Sequence, residues 1–493
     1  TLRVRNPGLG DLPEIPAQFY VNDELILEAN IPSMDMGGSY DMTVPWSEVT
    51  AGQSVFAVEM ELPDGFPYIA YQKRVSFDFI LPGVRNEYTA PGPDQWASIG
   101  PRLLTNGSGG LANNSVGRID MVAFHPSNPN IMYAGAPTGG AWRSTNGGAS
   151  WRGISDLLPS LAIGAIAIDS GHPTTVYIGT GSSQYLGGVG IFKSNNSGDT
   201  WAPFAPKMSV GTIDYPIRGC SKLVVRPHGT SGVLIYAATD RGVLRYMSSD
   251  YSKLLSNGSE WRRILPGTVK DLAVGAADDD LLYASLLSDG VYRCTTGTTA
   301  SGGSDWTKLT SGLPSINTIP SHYPDGINRT GQYFTIALPA SYPSRVYVAL
   351  ANPLGSPNYV PRISIYKSTN QGDGFSTLHS DFNAGTYNPF LAVHPSIEDL
   401  IYFGGVKLFS WRPSQAIVNV AASQVHGIHD DMHGFAWDPH DPTGLGYYIT
   451  GDGGIWRGSH NPNGSDLVQH RNKDLRVTMF YDIDTGPNRV IGG

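Results

Sequence analysis

Short apolar runs recur along most of this chain, each followed by a second run that carries a tyrosine. The first set reads Ile119-Asp-Met-Val-Ala-Phe124, Ile163-Gly-Ala-Ile-Ala-Ile168, Lys222-Leu-Val-Val225, Asp271-Leu-Ala-Val274, Phe334-Thr-Ile-Ala-Leu338, Phe390-Leu-Ala-Val393 and Gly434-Phe-Ala-Trp437. The second set carries Tyr133, Tyr177, Tyr236, Tyr283, Tyr347, Tyr402 and Tyr447 or Tyr448. Runs this short, rich in Val, Ile and Ala and without clean polar alternation, predict strands buried on both faces. A third run and a turn follow in each unit. The pattern therefore predicts repeated four-stranded blades around an axis, which is the architecture of a β-propeller.

One turn phrase is written three times: Ser144-Thr-Asn146-Gly-Gly148-Ala-Ser-Trp151, Ser194-Asn-Asn196-Ser-Gly198-Asp-Thr-Trp201 and Ser368-Thr-Asn370-Gln-Gly372-Asp-Gly-Phe375. Each is Ser-x-Asn-x-Gly-x-x-aromatic. The Asn side chain suits hydrogen bonds to nearby backbone N–H groups, Gly supplies a positive φ, and the aromatic opens the next strand. The phrase resembles the Asp-box, or bacterial neuraminidase repeat, of sialidase, xyloglucanase and sortilin-type propellers, with Asn where that family more often has Asp. The resemblance implies a β-propeller, and with the runs above and the N-terminal segment below the chain reads as all-β: an N-terminal Ig-like β-sandwich followed by a seven- to eight-bladed propeller. In that family the box is a fastener far from the active site.

Residues 1–88 lack the phrase. Gln18-Phe-Tyr-Val21, Glu24-Leu-Ile-Leu27 and Ser54-Val-Phe-Ala-Val-Glu-Met60 alternate between turn signals and read as a small β-sandwich resembling Ig-like adhesion modules. Residues 89–95 read as a linker, and 96–493 as the propeller. Trp96-Ala-Ser-Ile99 resembles an outermost strand. Val477–Asp484 and Arg489–Gly492 resemble the first strands of an eighth blade, so either the two ends share a closing blade or the natural chain continues.

Composition narrows the function classes. Gly 60 and Pro 36 lie well above average usage and suit many tight turns. Net charge is −9 with no basic run, which excludes a nucleic-acid partner on electrostatic grounds. No apolar stretch is long enough to predict a membrane-spanning helix. Two cysteines, Cys220 and Cys294, are too few for a disulfide framework and leave free thiols or one bridge open. Secretion or surface display follows from the resemblance.

The densest polar segment is His426-Gly-Ile-His429-Asp430-Asp431-Met-His433, just before the last inner strand. In an extended segment His429, Asp431 and His433 share one side, where two imidazoles and a carboxylate suit a divalent metal; the same residues serve equally as caps for loop carbonyls or as a ligand-contacting patch. Asp452 in Thr450-Gly-Asp-Gly-Gly454 follows, facing the axis or fastening its turn. Tyr185, Tyr323, Tyr359 and Tyr387 lie in polar loops suited to stacking on sugar rings.

The resemblance to xyloglucanases implies two carboxylates acting as general acid and base, one of them before a Gly-Gly in the first blade. Here that position is Thr138 in Thr138-Gly139-Gly140. The sialidase signature is also absent. The expectation is therefore a binding or scaffolding propeller for a glycan, an envelope component or an extracellular protein partner, with ligand contacts from His429, Asp431, His433 and Asp452 and no certain cofactor. The alternative is a glycoside hydrolase whose first suspects are Asp452, Asp431 and Asp120.

Overall fold

A computed structural model describes residues 2–5, 14–21, 24–33, 39–42, 55–60, 74–78, 115–181, 187–205, 207–210, 213–230, 232–249, 261–316, 333–352, 362–382, 389–413, 415–420, 428–462, 466–475, 477, 483–486 and 489–492. The chain divides into two compact units, Thr1–Gly100 with Leu157–Pro159, and Pro101–Asp156 with Ser160–Gly493. In the first, Glu24–Ile31, Ile15–Val21, Val55–Met60 and Arg74–Asp78 form one antiparallel sheet in that order, and Leu2–Arg5 pairs with Ser39–Met42.

The second unit is a seven-bladed β-propeller. Each blade is a four-stranded antiparallel meander: residues 121–153, 163–205, 220–266, 269–309, 334–382, 390–419 and 432–470 for blades 1 to 7. The inner strands are Met121–Phe124, Ile163–Ile168, Cys220–His228, Val269–Val274, Phe334–Ala337, Phe390–Val393 and Met432–Trp437. All seven fall on the apolar runs of the sequence. Each packs on the next, and that of blade 7 on that of blade 1, so the ring closes. Blades 1 and 7 each complete four strands from their own segments, so no blade is shared between the ends. The segment read as the first two strands of an eighth blade pairs as a two-stranded hairpin, Ile483–Gly486 with Arg489–Gly492. The Trp96 strand lies outside the described residues.

The tyrosines of the second strands are all buried. Four of them donate to the following blade in the same way. Tyr133 Oη donates to Ser197 O at 3.3 Å, Tyr236 to Asp279 O at 2.9 Å, Tyr283 to Gln371 O at 2.9 Å and Tyr347 to Asp399 Oδ1 at 2.6 Å. A cation on the third strand bonds alongside. Arg143 donates to Ser197 O at 2.6 Å, Arg293 to Gln371 O at 2.8 Å, and Lys367 to Asp399 Oδ1 at 2.8 Å.

The three repeated phrases make one turn. In blade 1, Ser144 Oγ accepts from Gly148 N at 2.9 Å and Asn146 Oδ1 from Ser150 N at 2.9 Å; blades 2 and 5 repeat both bonds. Gly147, Ser197 and Gln371 hold positive φ in these turns. The carbonyls of Ser197 and Gln371 are the acceptors for the preceding blade. The box indoles close the loop from the other side, Trp151 Nε1 donating to Arg471 O and Trp201 Nε1 to Ile154 O, both at 2.7 Å.

Cys220 and Cys294 are free and buried. Among the described residues no helix is long and apolar enough to cross a membrane.

Candidate functional site

In this topology the inner strands all begin at one end of the axis, where the turns between second and third strands also lie. Blade 7 supplies most of the chemistry at that end. Its inner strand begins at Met432, opposite Gly451, and the two-residue turn Asp452-Gly453 joins Gly446–Gly451 to Gly454–Ser459. Asp452 N donates to Asp431 O at 3.0 Å, which sets the two aspartates side by side. The segment before blade 1 runs along the same turn, with Val116 N donating to Gly453 O at 3.0 Å and Ile119 N to Gly451 O at 3.1 Å. Blade 1 thereby adds Arg118 and Asp120 to the cluster.

The side chains converge on Asp452. His433 Nε2 donates to Asp452 Oδ1 at 2.6 Å, and its side chain is 1% exposed. Arg118, also buried, forks onto Asp120 with Nε to Oδ1 at 2.6 Å and Nη2 to Oδ2 at 3.1 Å, while its Nε stands 4.0 Å from Asp452 Oδ1. Burial works against the charge of Asp452, but the His433 hydrogen bond and the positive charge of His433, Arg118 and His429 outweigh it and hold the carboxyl below its ordinary range. Asp431 goes the other way. Burial first, and then the nearby charge of Asp452, push its carboxyl up.

The glycines after Asp452 are required by packing. A Cβ on Gly453 would sit 2.4 Å from His429 Cβ; Gly454 has φ +108 and a Cβ there would meet Asn472 Oδ1 at 2.3 Å. No described hydrogen bond ties the Asp452 carboxylate to its own turn. Asp240, at the matching place in blade 3, shows what a fastener does: its Oδ1 accepts from Arg218 N at 3.0 Å and Gly219 N at 3.2 Å.

Among the described residues no three His, Cys, Asp or Glu side chains gather to hold an ion. The alternation His429-x-Asp431-x-His433 needs an extended backbone, whereas Asp431 has φ +64 and the strand slips register at His433. His429 Nδ1 donates to Asp430 O at 2.6 Å, which fixes its tautomer. His426 and the loop tyrosines Tyr185, Tyr323, Tyr359 and Tyr387 lie outside the described residues.

Two features escaped the sequence reading. Arg118 precedes its strand with no motif around it. The register slip is the other: pairing skips Gly164, Ser221, Lys270 and His433 at the entrance of the inner strands of blades 2, 3, 4 and 7. Such a bulge leaves one residue out of the ladder and re-aims its side chain. On the far side of the axis, Lys270 Nζ lies 5.2 Å from the centre of the Tyr333 ring, and the Tyr333 phenol is within electrostatic reach of Asp271, Arg118 and Asp120.

Fold and site together define a seven-bladed propeller with a carboxylate, imidazole and guanidinium cluster at one end of its axis. No family model matches the chain. A curated xyloglucanase from Paenibacillus sp is 27% identical over 198 residues, which are 37% of this chain and 17% of that protein. Among solved structures the chain is similar to the GH74 xyloglucanase from Xanthomonas campestris (TM-score 0.53, 16% identity, 78% of this chain and 58% of that one). It is also similar to an ancestral GH74 enzyme (TM-score 0.51, 16% identity, 77% and 52%). The chain thus spans a little over half the length of these structures, and the matched stretch is under a fifth of the curated relative. At these identities the structural likeness establishes the propeller fold.

Proposed function

We propose that this propeller is a glycoside hydrolase, cleaving a polysaccharide laid across the channel mouth. One observation carries the reading: two adjacent carboxyls, Asp431 and Asp452, are pushed in opposite directions by their surroundings. Such a split is how a protein assigns acid and base roles to two chemically identical groups. Asp431 retains its proton and delivers it to the leaving glycosidic oxygen. Asp452, kept ionised by His433 and Arg118, activates water or attacks the anomeric carbon. Asp120 braces Arg118. The relative named a xyloglucanase supports a β-glucan as the first substrate class to try.

The accompanying proposals are that the repeated turns are Asp-boxes, that residues 1–88 form an Ig-like module joined by a linker at 89–95, and that the protein acts outside the cell. A second reading, glycan binding without cleavage, is favoured by Thr138, which stands exposed in the blade 1 turn where the xyloglucanase pattern has a carboxylate.

Reducing-end release from xyloglucan and a panel of other polysaccharides separates the two. Release that disappears in both Asp452→Asn and Asp431→Asn supports hydrolysis by this pair. Binding of a panel member with no release would replace the reading by the second one.

A further inference from the structure

We propose that His394 is a pH-sensitive tie between blades 6 and 7. Neutral, it joins the two blades at the end of the axis remote from the Asp452 cluster; on taking a proton it releases them. The inference goes beyond the hydrolase reading and does not depend on it.

In several blades a side chain closes the turn that leaves the inner strand. Blade 2 uses a carboxylate: Asp169 Oδ1 accepts from Gly171 N at 2.8 Å and His172 N at 3.2 Å. Blade 1 uses an imidazole, with His125 Nδ1 accepting from Ser127 N at 3.2 Å and Asn128 N at 3.0 Å. Blade 6 repeats this with His394, whose Nδ1 accepts from Ser396 N at 3.1 Å and Ile397 N at 2.9 Å. Accepting these bonds leaves Nδ1 without a proton, so the neutral ring carries its hydrogen on Nε2. That N–H donates to Gly444 O of blade 7 at 2.7 Å. The one atom pair thus closes a turn of blade 6 and holds a turn of blade 7.

The seat has no place for a second proton. His394 is 2% exposed, and its ring stands edge-on to Trp437 with centroids 4.5 Å apart. Trp437 Nε1 is itself bonded to Val393 O at 2.8 Å. A protonated Nδ1 would aim its N–H at two backbone N–H groups, and Ser396 Oγ, at 3.5 Å, is at the edge of hydrogen-bonding reach. Burial pushes the ring below its ordinary 6.5; the Gly444 bond opposes this, and the positive charge of His460 and Arg412 reinforces it. The acids of the surrounding turns are committed elsewhere. Glu398 holds Arg345 and Asp399 holds Lys367, both on blade 5. Asp438 holds Arg457, Asp441 accepts from Leu445 N and Gly446 N, and Asp466 accepts from Tyr402 and Tyr447.

A lowered folded value fixes the sign. The contribution of His394 is complete above 6.5 and is lost as pH falls through the lowered value. The charged ring leaves its seat, and the turn cap and the Gly444 bond go together. The other flank of blade 7 responds differently. His440 Nε2 donates to His125 O at 2.7 Å, and no described hydrogen bond uses its Nδ1, so it can take a proton and keep its hold. His125 is also lowered, by burial and then by His440, but no described bond from its ring reaches another blade. Acid therefore frees blade 7 on its blade 6 side.

Amide hydrogen exchange of the full chain from about pH 7.5 to 5, corrected for the intrinsic effect of pH, tests this. Opening of residues 394–400 and 438–446 should grow together below 6.5, by up to about tenfold per pH unit. The matching turn of blade 4, residues 275–281, has no histidine and should stay level. His394→Asn retains a side-chain oxygen for the two turn N–H groups, as Asp169 does in blade 2, and takes no proton in this range. It should abolish the response in both segments. Segments level across the range in the parent, a response in 394–400 without 438–446, or one that survives in His394→Asn overturns the inference. Carbon-13 NMR of labelled histidine in the parent needs no variant: His394 should titrate below 6.5, and titration at or above that value overturns the inference equally.

Discussion

Blades 1 and 7 turn from second to third strand through nearly the same words, Thr138-Gly139-Gly140 and Asp452-Gly453-Gly454. In both, the glycines answer to packing. A Cβ on Gly139 would meet Val477 Cγ1 at 2.7 Å, and Gly140 has φ +78 with Ser155 Oγ 2.5 Å from where its Cβ would be. The residue before them is under no such constraint. It is an exposed threonine in blade 1 and, in blade 7, an aspartate bonded to a buried histidine. The Gly-Gly pair therefore belongs to the fold, and the preceding residue is where a blade acquires chemistry.

The sharpest way to break this comparison is Asp452→Asn. If Asp452 is half of an acid–base pair, turnover on the best substrate falls by roughly 10²- to 10⁴-fold, the usual weight of such a group. A fall of less than about threefold would make the turn as inert as that of blade 1, far short of that range.

The glycines should separate by stability rather than activity. Gly454→Ala forces a side chain into positive φ against Asn472 and should cost about 1–3 kcal/mol in urea unfolding. Gly139→Ala meets the Val477 side chain and, at 3.2 Å, Ala136 Cβ, but has no positive φ to hold, and should cost less. An equal loss at both would mean that backbone conformation is not what selects Gly454.

The pH dependence comes next. If the pair acts as proposed, with Asp452 ionised and Asp431 protonated, the acid limb of the rate profile should lie below 3.8 and the alkaline limb above it. The same shifts act on folding with opposite signs. Asp452 contributes stability that is present above its unfolded value and lost as pH falls through its lowered native one. Asp431 binds its proton more tightly when folded, so its contribution is present at low pH and lost as pH rises through the raised native value. Asp431→Asn should accordingly raise the melting temperature at pH 7 and leave it unchanged near pH 3. A lowered melting temperature at pH 7 would contradict the assigned burial.

The smallest effect belongs to Thr138→Asp. An exposed substitution should move stability by no more than about 0.5 kcal/mol. Without a histidine or arginine partner the new carboxylate should leave turnover where it was, and a rise would show that the blade 1 turn also faces substrate.

Blade architecture was legible because it depends on local words. The apolar runs became the inner strands, most of the tyrosines became buried donors to the next blade, and the Asn phrase made its turn wherever it occurred. Blades 3 and 4 lack the phrase, yet Trp261 and Trp306 open their outer strands at the matching place, each indole nitrogen buried with no described partner. The site was only half legible. Asp120, Asp431, Asp452 and His433 were picked out by type and density. Arg118 was not, because what gives it meaning is a pairing between blade 1 and blade 7, neighbours in the ring but separated by most of the chain. One local feature is invisible in a string of letters: a left-handed Asp431 followed by a bulge interrupts the strict alternation of His429, Asp431 and His433.

The box turn also bears on how such a ring grows. On blades 1 and 5 the donor pair, tyrosine with arginine or lysine, faces the following blade, while the box turn faces the preceding one. Each of these two blades therefore carries both halves of a joint, pointed in opposite directions. A gene segment copied in tandem yields a unit that already fits its parent, with no compensating substitution needed on either side. The ring can gain or exchange blades by duplication, and the interior positions at the channel mouth, which take no part in the joint, remain free to diverge.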